Sequence, residues 1–254
     1  MIAGLLVFLL WPSSAYGHKT FLASDQTVWD AGANVTVSLT SALEFPYIES
    51  GPSRDRIAFA LVRVGQDVIE DIAYAETPTA LQIMFVPQAV GFATVSLSTH
   101  PNSGEIAPED VSEYFEEIGA GMDVRAAFDA LPGDPAMMRS YTKHAKIFLC
   151  VETCELGATF AAEPVGQALE FVASPQSDRT FRLLWQGESL PMHDVDIYSA
   201  GGEHERVRTN SDGLLEVNAD WSGAILISAV WITLPDEQGG NYHSDQATLS
   251  VILR

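Results

Sequence analysis

The stretch Ile225-Leu226-Ile227-Ser228-Ala229-Val230-Trp231 decides the fold, because large or apolar side chains recur at every second position from Ile225 to Trp231. A period of two places such side chains on a single face of a β-strand. Short runs of the same kind, bounded by Gly, Pro, Asn or Asp, recur along the chain at residues 35–39, 81–85, 95–97, 181–185 and 249–253. Repeated short strands between turn residues are typical of β-sandwiches, so the sequence predicts a mainly β protein. Asp212-Gly213, between two apolar runs, predicts a hairpin turn.

Residues 108–131 interrupt the strand pattern with a helical one. Pro108-Glu109-Asp110 fits the first turn of a helix, where Pro is tolerated and acidic side chains interact favourably with the helix dipole. Apolar residues then recur at helical spacing at Val111, Phe115, Ile118 and Met122. A second short helix is expected over residues 123–131, before Pro132-Gly133. The sequence predicts a helical insertion that caps an open sandwich edge, with a lid as the alternative.

The first residues have the pattern of a signal peptide. The apolar run Gly4-Leu5-Leu6-Val7-Phe8-Leu9-Leu10-Trp11 is followed by Ala15 and Gly17, small residues at the two positions that a signal peptidase recognises. Cleavage after Gly17 would make His18 the first residue of the mature protein. Met1-Ile2-Ala3 lacks the usual basic residues, so an uncleaved anchor is the alternative. Because no later run approaches the ~20 apolar residues of a spanning helix, we expect a periplasmic protein without membrane insertion.

The net charge limits which classes of partner the protein can bind. The chain has 13 basic and 34 acidic residues, for a net charge of −21. Such a field repels nucleic acid and anionic membranes. It is compatible with cation binding, although an acidic surface also simply keeps an exported protein soluble. Cys150 and Cys154 are expected to form a disulfide in an oxidising compartment, with a soft-metal thiolate pair as the less common alternative.

Six short motifs occur in an order that resembles a known family. They are Tyr114-Phe115-Glu116-Glu117-Ile118-Gly119, Tyr141-Thr142-Lys143-His144-Ala145-Lys146, Pro164-Val165-Gly166-Gln167-Ala168-Leu169-Glu170, Gly187-Glu188-Ser189-Leu190-Pro191, Thr209-Asn210-Ser211-Asp212-Gly213 and Ala247-Thr248-Leu249. From His18 to the C-terminus, the chain resembles a bacterial family of exported proteins of unknown function that is associated with the periplasmic component of cobalt or nickel uptake. The second half also looks like the transthyretin-like modules that serve support or binding rather than chemistry.

The resemblance implies a two-part β protein whose mature form begins with His. A small, Ala-rich segment over residues 157–164 places the boundary between the parts. We therefore predict a signal peptide (1–17), an N-terminal β-sandwich (18–163) with the helical insertion, and an immunoglobulin-like or transthyretin-like β-sandwich (164–254). The chain departs from the family in two places, because Lys19-Thr20 follows the leading His and Asp245-Gln246 precedes the Ala-Thr-Leu strand.

An N-terminal His18 would offer a metal ion two nitrogens, its α-amine and its imidazole. One more imidazole would complete a site suited to Cu(II), whereas two nitrogens with water or a carboxylate suit Ni(II) or Co(II). We expect the second ligand to be His144, at the start of the 145–151 strand. His100, at the end of the 94–99 strand, and His243, in the final hairpin, are the alternatives. A hydrogen-bonded or surface role is the commoner one for any single histidine. His193, beside Asp194, and His204, between Glu203 and Glu205, are expected to be solvated loop residues.

The enzyme motifs G-x-S-x-G and H-E-x-x-H and a Gly-rich phosphate loop are missing from the sequence, so we do not expect an enzyme. A copper-dependent oxidase built on His18 is a remote alternative. The sequence predicts a periplasmic protein that binds nickel, cobalt or copper and serves a membrane metal transporter as accessory or carrier. The other candidate is a non-catalytic module that holds a membrane protein or an extracellular polymer. Metal binding predicts that His18 and another histidine lie within ~5 Å of each other.

Overall fold

The computed structural model describes residues 18–253, which form a mainly β protein with two short α-helices. The predicted fold class is thereby confirmed. The strands are β1 (Lys19–Ala23), β2 (Val28–Trp29), β3 (Val35–Ala42), β4 (Ile57–Val64), β5 (Asp67–Val68), β6 (Ala73–Glu76), β7 (Leu81–Phe85), β8 (Gly91–Thr99), β9 (Asn102–Ile106), β10 (Met137–Val151), β11 (Leu169–Ala173), β12 (Thr180–Trp185), β13 (Glu188–Ser189), β14 (Asp194–Ser199), β15 (His204–Arg208), β16 (Leu214–Glu216), β17 (Gly223–Thr233) and β18 (Tyr242–Leu253).

One large sheet runs through the whole described region, in the order β15-β14-β17-β18-β10-β8-β4-β5. The short strands β2 and β9 also pair with β10, the longest strand. The two halves of the chain meet where β10 pairs in parallel with β18, with Arg139 opposite Tyr242 and Ile147 opposite Ser250. The halves therefore share a continuous ladder of backbone hydrogen bonds rather than only a side-chain contact.

Two smaller sheets pack on this large one. The sheet β1-β3-β7-β6 buries a core with β4, β8 and the odd-numbered residues Ala145 to Val151 of β10. The sheet of β11, β12, β13 and β16 buries a second core with β14, β17 and β18. Ala247 of that second core lies opposite His144, an even-numbered residue of β10. Because side chains alternate along a strand, the small sheets cover opposite faces of the large sheet. Each half is thus a sandwich; the boundary at residues 163/164 stays a prediction.

The predicted helical insertion lies between β9 and β10. It consists of a 3-10 turn (Pro108–Asp110), helix α1 (Val111–Glu117) and helix α2 (Met122–Asp129). Phe115 and Phe128 stack edge to face and pack with Ile232 and Tyr242 of the large sheet. Met122 does not continue the helical spacing of α1, because α1 ends at Glu117 and Met122 begins α2, where it is 86% exposed.

The turn at Asp212-Gly213 forms but does not make the predicted hairpin. Gly213 has φ +74° and donates its backbone N–H to Asn210, as a tight turn requires. The strands on either side belong to different sheets, since β15 pairs with β14 and β16 pairs with β12. The turn therefore carries the chain from one sheet to the other. Which strands pair is decided by tertiary packing, and the residues around the turn do not predict it.

The cysteines form the expected disulfide, between Cys150 at the end of β10 and Cys154, with 4.9 Å between their Cα atoms. The predicted signal peptide, residues 1–17, lies outside the described residues. Among the helices of residues 18–253, none is long and apolar enough to cross a membrane.

Candidate functional site

A cavity of about 550 Å³ opens on the face of the large sheet beside β1. Strands β10, β18, β17 and β14 form its floor. The residues that begin β1 form one wall, and the segment from β9 to α1 forms the other. The helical insertion therefore helps to build a cavity as well as covering the sheet.

Strand β10 brings three polar side chains to the cavity floor. Arg139, Tyr141 and Lys143 occupy alternate positions of the strand and all line the cavity. Lys146, on the opposite face, instead donates a hydrogen bond to Glu170 of the second small sheet. Because side chains alternate along the strand, Arg139 and Lys143 lie on one face of β10 and Lys146 lies on the other.

Arg139 lies between aromatic rings, and it forms no ion pair with an acidic side chain in the part of the chain that the structure describes. Its guanidinium carbon is 4.9 Å from the centroid of the Tyr114 ring and 4.8 Å from that of Tyr141. Within residues 18–253, its buried Nε has no hydrogen-bond partner, and neither has the buried hydroxyl of Tyr114. Buried donors of this kind are rare in folded proteins and call for an explanation.

Lys143 lies at the other side of the Tyr141 ring, 5.8 Å from its centroid. Its ammonium donates hydrogen bonds to the His18 carbonyl oxygen (3.2 Å) and the Thr20 hydroxyl (2.8 Å). Burial, followed by the charge of Arg139, lowers the pKa of Lys143 to about 8. This ammonium is consequently desolvated without a carboxylate among its described hydrogen-bond partners.

Two of the five acidic residues of the described region that line the cavity, Asp194 and Asp196, are compensated by neighbouring arginines. Arg208 donates two hydrogen bonds to Asp194 (2.6 and 2.9 Å), and Arg206 donates two to Asp196 (both 2.9 Å). The hydrogen bonds from Arg208 lower the pKa of Asp194. Arg206 also binds the carbonyl oxygen of Glu116, and so fixes α1 to the cavity floor.

A lysine and a tyrosine occupy the side of the cavity nearest β1. The Lys19 ammonium lies 4.5 Å from the centroid of the Tyr198 ring. Burial lowers the pKa of Lys19, and the charges of Glu117 and Asp196 oppose that shift. Burial raises the pKa of the Tyr198 hydroxyl.

His18 lies at the mouth of the cavity, where its side chain is 51% exposed. Its Nε2 is 3.8 Å from Oε2 of Glu49. That carboxylate oxygen also accepts a hydrogen bond from the backbone N–H of Leu43, which fixes its position. The nearest potential ligand that the structure gives His18 is therefore a carboxylate and not an imidazole.

The structure does not bring His144 to His18. His144 is buried on the opposite face of β10 and uses both ring nitrogens, Nδ1 with Ser98 (2.8 Å) and Nε2 with Asp245 (2.9 Å). The same three residue types form hydrolase triads, but here serine and aspartate are also buried, and Ser98 accepts a hydrogen bond from Gln167. We interpret this arrangement as a structural hydrogen-bond network.

The other histidines are also dispersed. Nδ1 of His243 bonds to Ser140 (2.8 Å), and its Nε2 is 3.6 Å from Asp245. His100 is exposed and is tied to Arg56 through its backbone N–H. Across residues 18–253, the structure has no cluster of three or more His, Cys, Asp or Glu residues that could hold a metal ion.

Two predicted loop histidines differ in their surroundings. His204 is exposed, as predicted, and bonds to Asp196 (2.8 Å). His193 is less exposed than predicted, because its ring packs beside Trp231 and its Nε2 lies 3.0 Å from the carbonyl oxygen of Val230. Burial lowers the pKa of His193.

Sequence reasoning missed the cationic floor of the cavity. Its signal is the segment Arg139-Ser140-Tyr141-Thr142-Lys143, in which two cations and an aromatic ring occupy alternate positions of one predicted strand face. That pattern was available in the sequence. The position of Tyr114 beside Arg139 was not, because it depends on how the helical insertion packs.

Comparisons with known proteins give a family and weak structural likenesses. The family model described as "Domain of unknown function (DUF4198)" matches residues 15–233. The search of curated proteins gives no match. Similar solved structures include Salmonella alpha-2-macroglobulin reacted with methylamine (10% identity, 93% of this chain, 15% of that chain, TM-score 0.24). They also include the D0-D1 domain of Intimin (8% identity, 91% of this chain, 97% of that chain, TM-score 0.20). The chain thus spans 15% of the length of the first, and these TM-scores support no inference about function.

Proposed function

The chain belongs to the DUF4198 family of domains of unknown function, and from that premise we propose that it is an exported, non-catalytic protein that binds Ni(II) or Co(II) through His18. Removal of residues 1–17 frees the α-amine of His18. The amine and the imidazole then supply two nitrogens, and Glu49 supplies an oxygen. The cargo would pass to a membrane metal transporter.

The observation that carries this proposal is the 3.8 Å separation between Nε2 of His18 and Oε2 of Glu49. Both side chains are accessible to solvent, so an ion can reach them without unfolding the protein. Two nitrogens, a carboxylate and water suit Ni(II) or Co(II). A copper site with a second imidazole fits less well, because His18 is the only histidine that lines the cavity within the described region.

Lys143 affects this site in two ways. Its ammonium binds the His18 carbonyl oxygen at 3.2 Å. A nearby positive charge favours the neutral form of the α-amine, which is the form that coordinates a metal. The same charge repels a divalent cation, and the Glu49 carboxylate offsets that repulsion.

Export is supported by the disulfide between Cys150 and Cys154. Disulfides of this structural kind persist in oxidising compartments such as the periplasm. The absence of catalysis is supported by the burial of Ser98, His144 and Asp245, which keeps this network away from substrates.

The test compares NiCl₂ and CoCl₂ binding by isothermal titration calorimetry to protein that begins at His18 and to protein with one additional Ala before His18. We expect binding to be lost in the extended form, because its α-amine has become an amide. Glu49→Gln should weaken binding by about tenfold or more, since even residues that only support metal ligands contribute that much.

Glu188→Gln is the matched control, because Glu188 is an exposed carboxylate of the second small sheet. This variant should bind as the wild type does. Equal affinity of the extended and unextended forms would exclude the amine as a ligand and overturn the proposal.

A further inference from the structure

We infer that the cavity floor binds a small organic dianion, with one anionic group at Arg139, the other at Lys143, and the Tyr141 ring between them. This site uses the floor of the cavity and neither His18 nor Glu49, although Lys143 also contacts the His18 carbonyl oxygen of the metal site proposed above. The inference goes beyond the proposed function, and organic anions titrated without metal test it separately.

The first argument is charge. Lys146 and Arg63 each have a carboxylate partner, Glu170 (2.6 Å) and Glu163 (3.2 Å) respectively. Within residues 18–253, Arg139 and Lys143 have no ion pair of this kind, although the whole chain carries 34 acidic residues against 13 basic ones. Two uncompensated cations in one cavity match a ligand with two negative charges.

The second argument is hydrogen bonding. Nε of Arg139 and the hydroxyl of Tyr114 are buried and lack hydrogen-bond partners in the described region. Leaving such donors unpaired is unfavourable. Nε of Arg63 and of Arg182 are unpaired in the same way within that region, and Arg139 differs from them in lining the cavity, where the rest of its guanidinium can meet a ligand. A guanidinium is suited to binding an oxyanion, since its planar set of N–H donors matches a carboxylate edge to edge.

The third argument is the arrangement of the two cations around one ring. The Tyr141 centroid lies 4.8 Å from the guanidinium of Arg139 and 5.8 Å from the ammonium of Lys143. The ring is held in place by a 2.7 Å hydrogen bond from Asn102 to its hydroxyl. Both cations therefore border one ring, and a ligand with two anionic groups on an organic spacer can place one group at each.

Five acidic residues of the described region line the cavity, and their positions permit an anionic ligand at the floor cations: Glu105, Asp110 and Glu117 belong to the wall from β9 to α1, and the two on the floor strands are compensated. Asp194 and Asp196 are each engaged by two hydrogen bonds from an arginine, which offsets their charge. The volume of about 550 Å³ is in the range of small-molecule sites and far exceeds the requirement of a lone inorganic ion.

Calorimetric titrations of the mature protein with succinate, glutarate and adipate test this inference. Butyrate serves as the monoanionic probe, glutaramide as the neutral one and inorganic phosphate as the compact one. We expect at least one dicarboxylate to bind more tightly than butyrate and phosphate, and glutaramide not to bind. Arg139→Gln and Lys143→Met should each weaken dicarboxylate binding by roughly tenfold to a hundredfold, the range for loss of a charge-assisted hydrogen bond.

Arg54→Gln is the matched control, since Arg54 also lies over a tyrosine ring, that of Tyr74 at 4.2 Å, but outside the cavity. It should leave dicarboxylate affinity unchanged, and circular dichroism spectra of all three variants establish that they fold. The inference is overturned if dicarboxylates bind no better than butyrate, if phosphate binds as tightly as they do, or if neither cavity variant weakens them. Failure of the metal site would instead appear in the His18 extension and Glu49→Gln titrations.

Discussion

Lys146 and Glu170 form an ion pair that is almost completely withdrawn from solvent. Their side chains are 2% and 0% exposed, with 2.6 Å between Nζ and Oε2. Glu170 also accepts hydrogen bonds from the backbone N–H groups of Val165 and Gly166, so the pair joins β10 to the segment that leads into β11. Burial lowers the pKa of Lys146, and Glu170 opposes that shift.

The single variant Lys146→Met should lower the free energy of unfolding by about 3–5 kcal/mol, because it leaves the Glu170 carboxylate buried without its cation. The double variant Lys146→Met/Glu170→Gln should recover part of this loss, because the neutral amide needs no cation and its single oxygen still accepts one of the two backbone hydrogen bonds. Urea denaturation of the three proteins measures both effects. A single variant as stable as the wild type would show that the pair contributes little.

At the scale of elements, the helical insertion is a structural part of the large sheet. Phe128 of α2 is 9% exposed, and its ring centroid is 5.6 Å from that of Phe115 and 6.1 Å from that of Tyr242 in β18. Removal of this ring leaves a cavity between the helices and the sheet.

We expect Phe128→Ala to lower the free energy of unfolding by about 3–5 kcal/mol. Met122→Ala is the control in the same helix, because Met122 is 86% exposed and surface substitutions usually change stability by less than about 0.5 kcal/mol. Urea denaturation compares the two. If Phe128→Ala costs no more than the control, the insertion packs only loosely on the sheet.

The elements also show how far the sequence determines the structure. Strand alternation and the helical spacing over residues 108–131 identify the mainly β fold and its insertion, since both signals are local. The hairpin predicted at Asp212-Gly213 is wrong, because which strands pair within each sheet depends on segments far from the turn in sequence. Contacts between distant segments place Tyr114 beside Arg139. Such contacts also supply the hydrogen-bond partners of both His144 ring nitrogens. The composition of the candidate site was therefore partly visible in sequence, but its assembly was not.

At the scale of the whole molecule, the parallel pair β10–β18 makes the two halves interdependent. Without β18, strand β10 loses the partner on one of its two edges, from Arg139 to Ile147. An open strand edge in the middle of a sheet is both less stable and prone to pair with other chains.

We therefore expect fragments 18–163 and 164–254, produced separately, to lack the sharp thermal transition of the intact protein. Mixed together, they should regain it, because each supplies the strand that the other lacks. Circular dichroism during heating measures the transition. Two fragments that each unfold cooperatively on their own would instead establish two independent domains, as the sequence predicts.

The same strand pair imposes a delay on biosynthesis. Paired residues of β10 and β18 lie about a hundred residues apart in the chain, as Arg139 and Tyr242 do. At a translation rate of roughly 5–20 residues per second, β10 is made about 5–20 s before its partner. Throughout that interval one edge of the longest strand has no partner, and an unpaired edge can pair with another chain. A chain exported from its N-terminus meets the same order as it crosses the membrane, so the risk of misassembly is greatest before β18 has emerged.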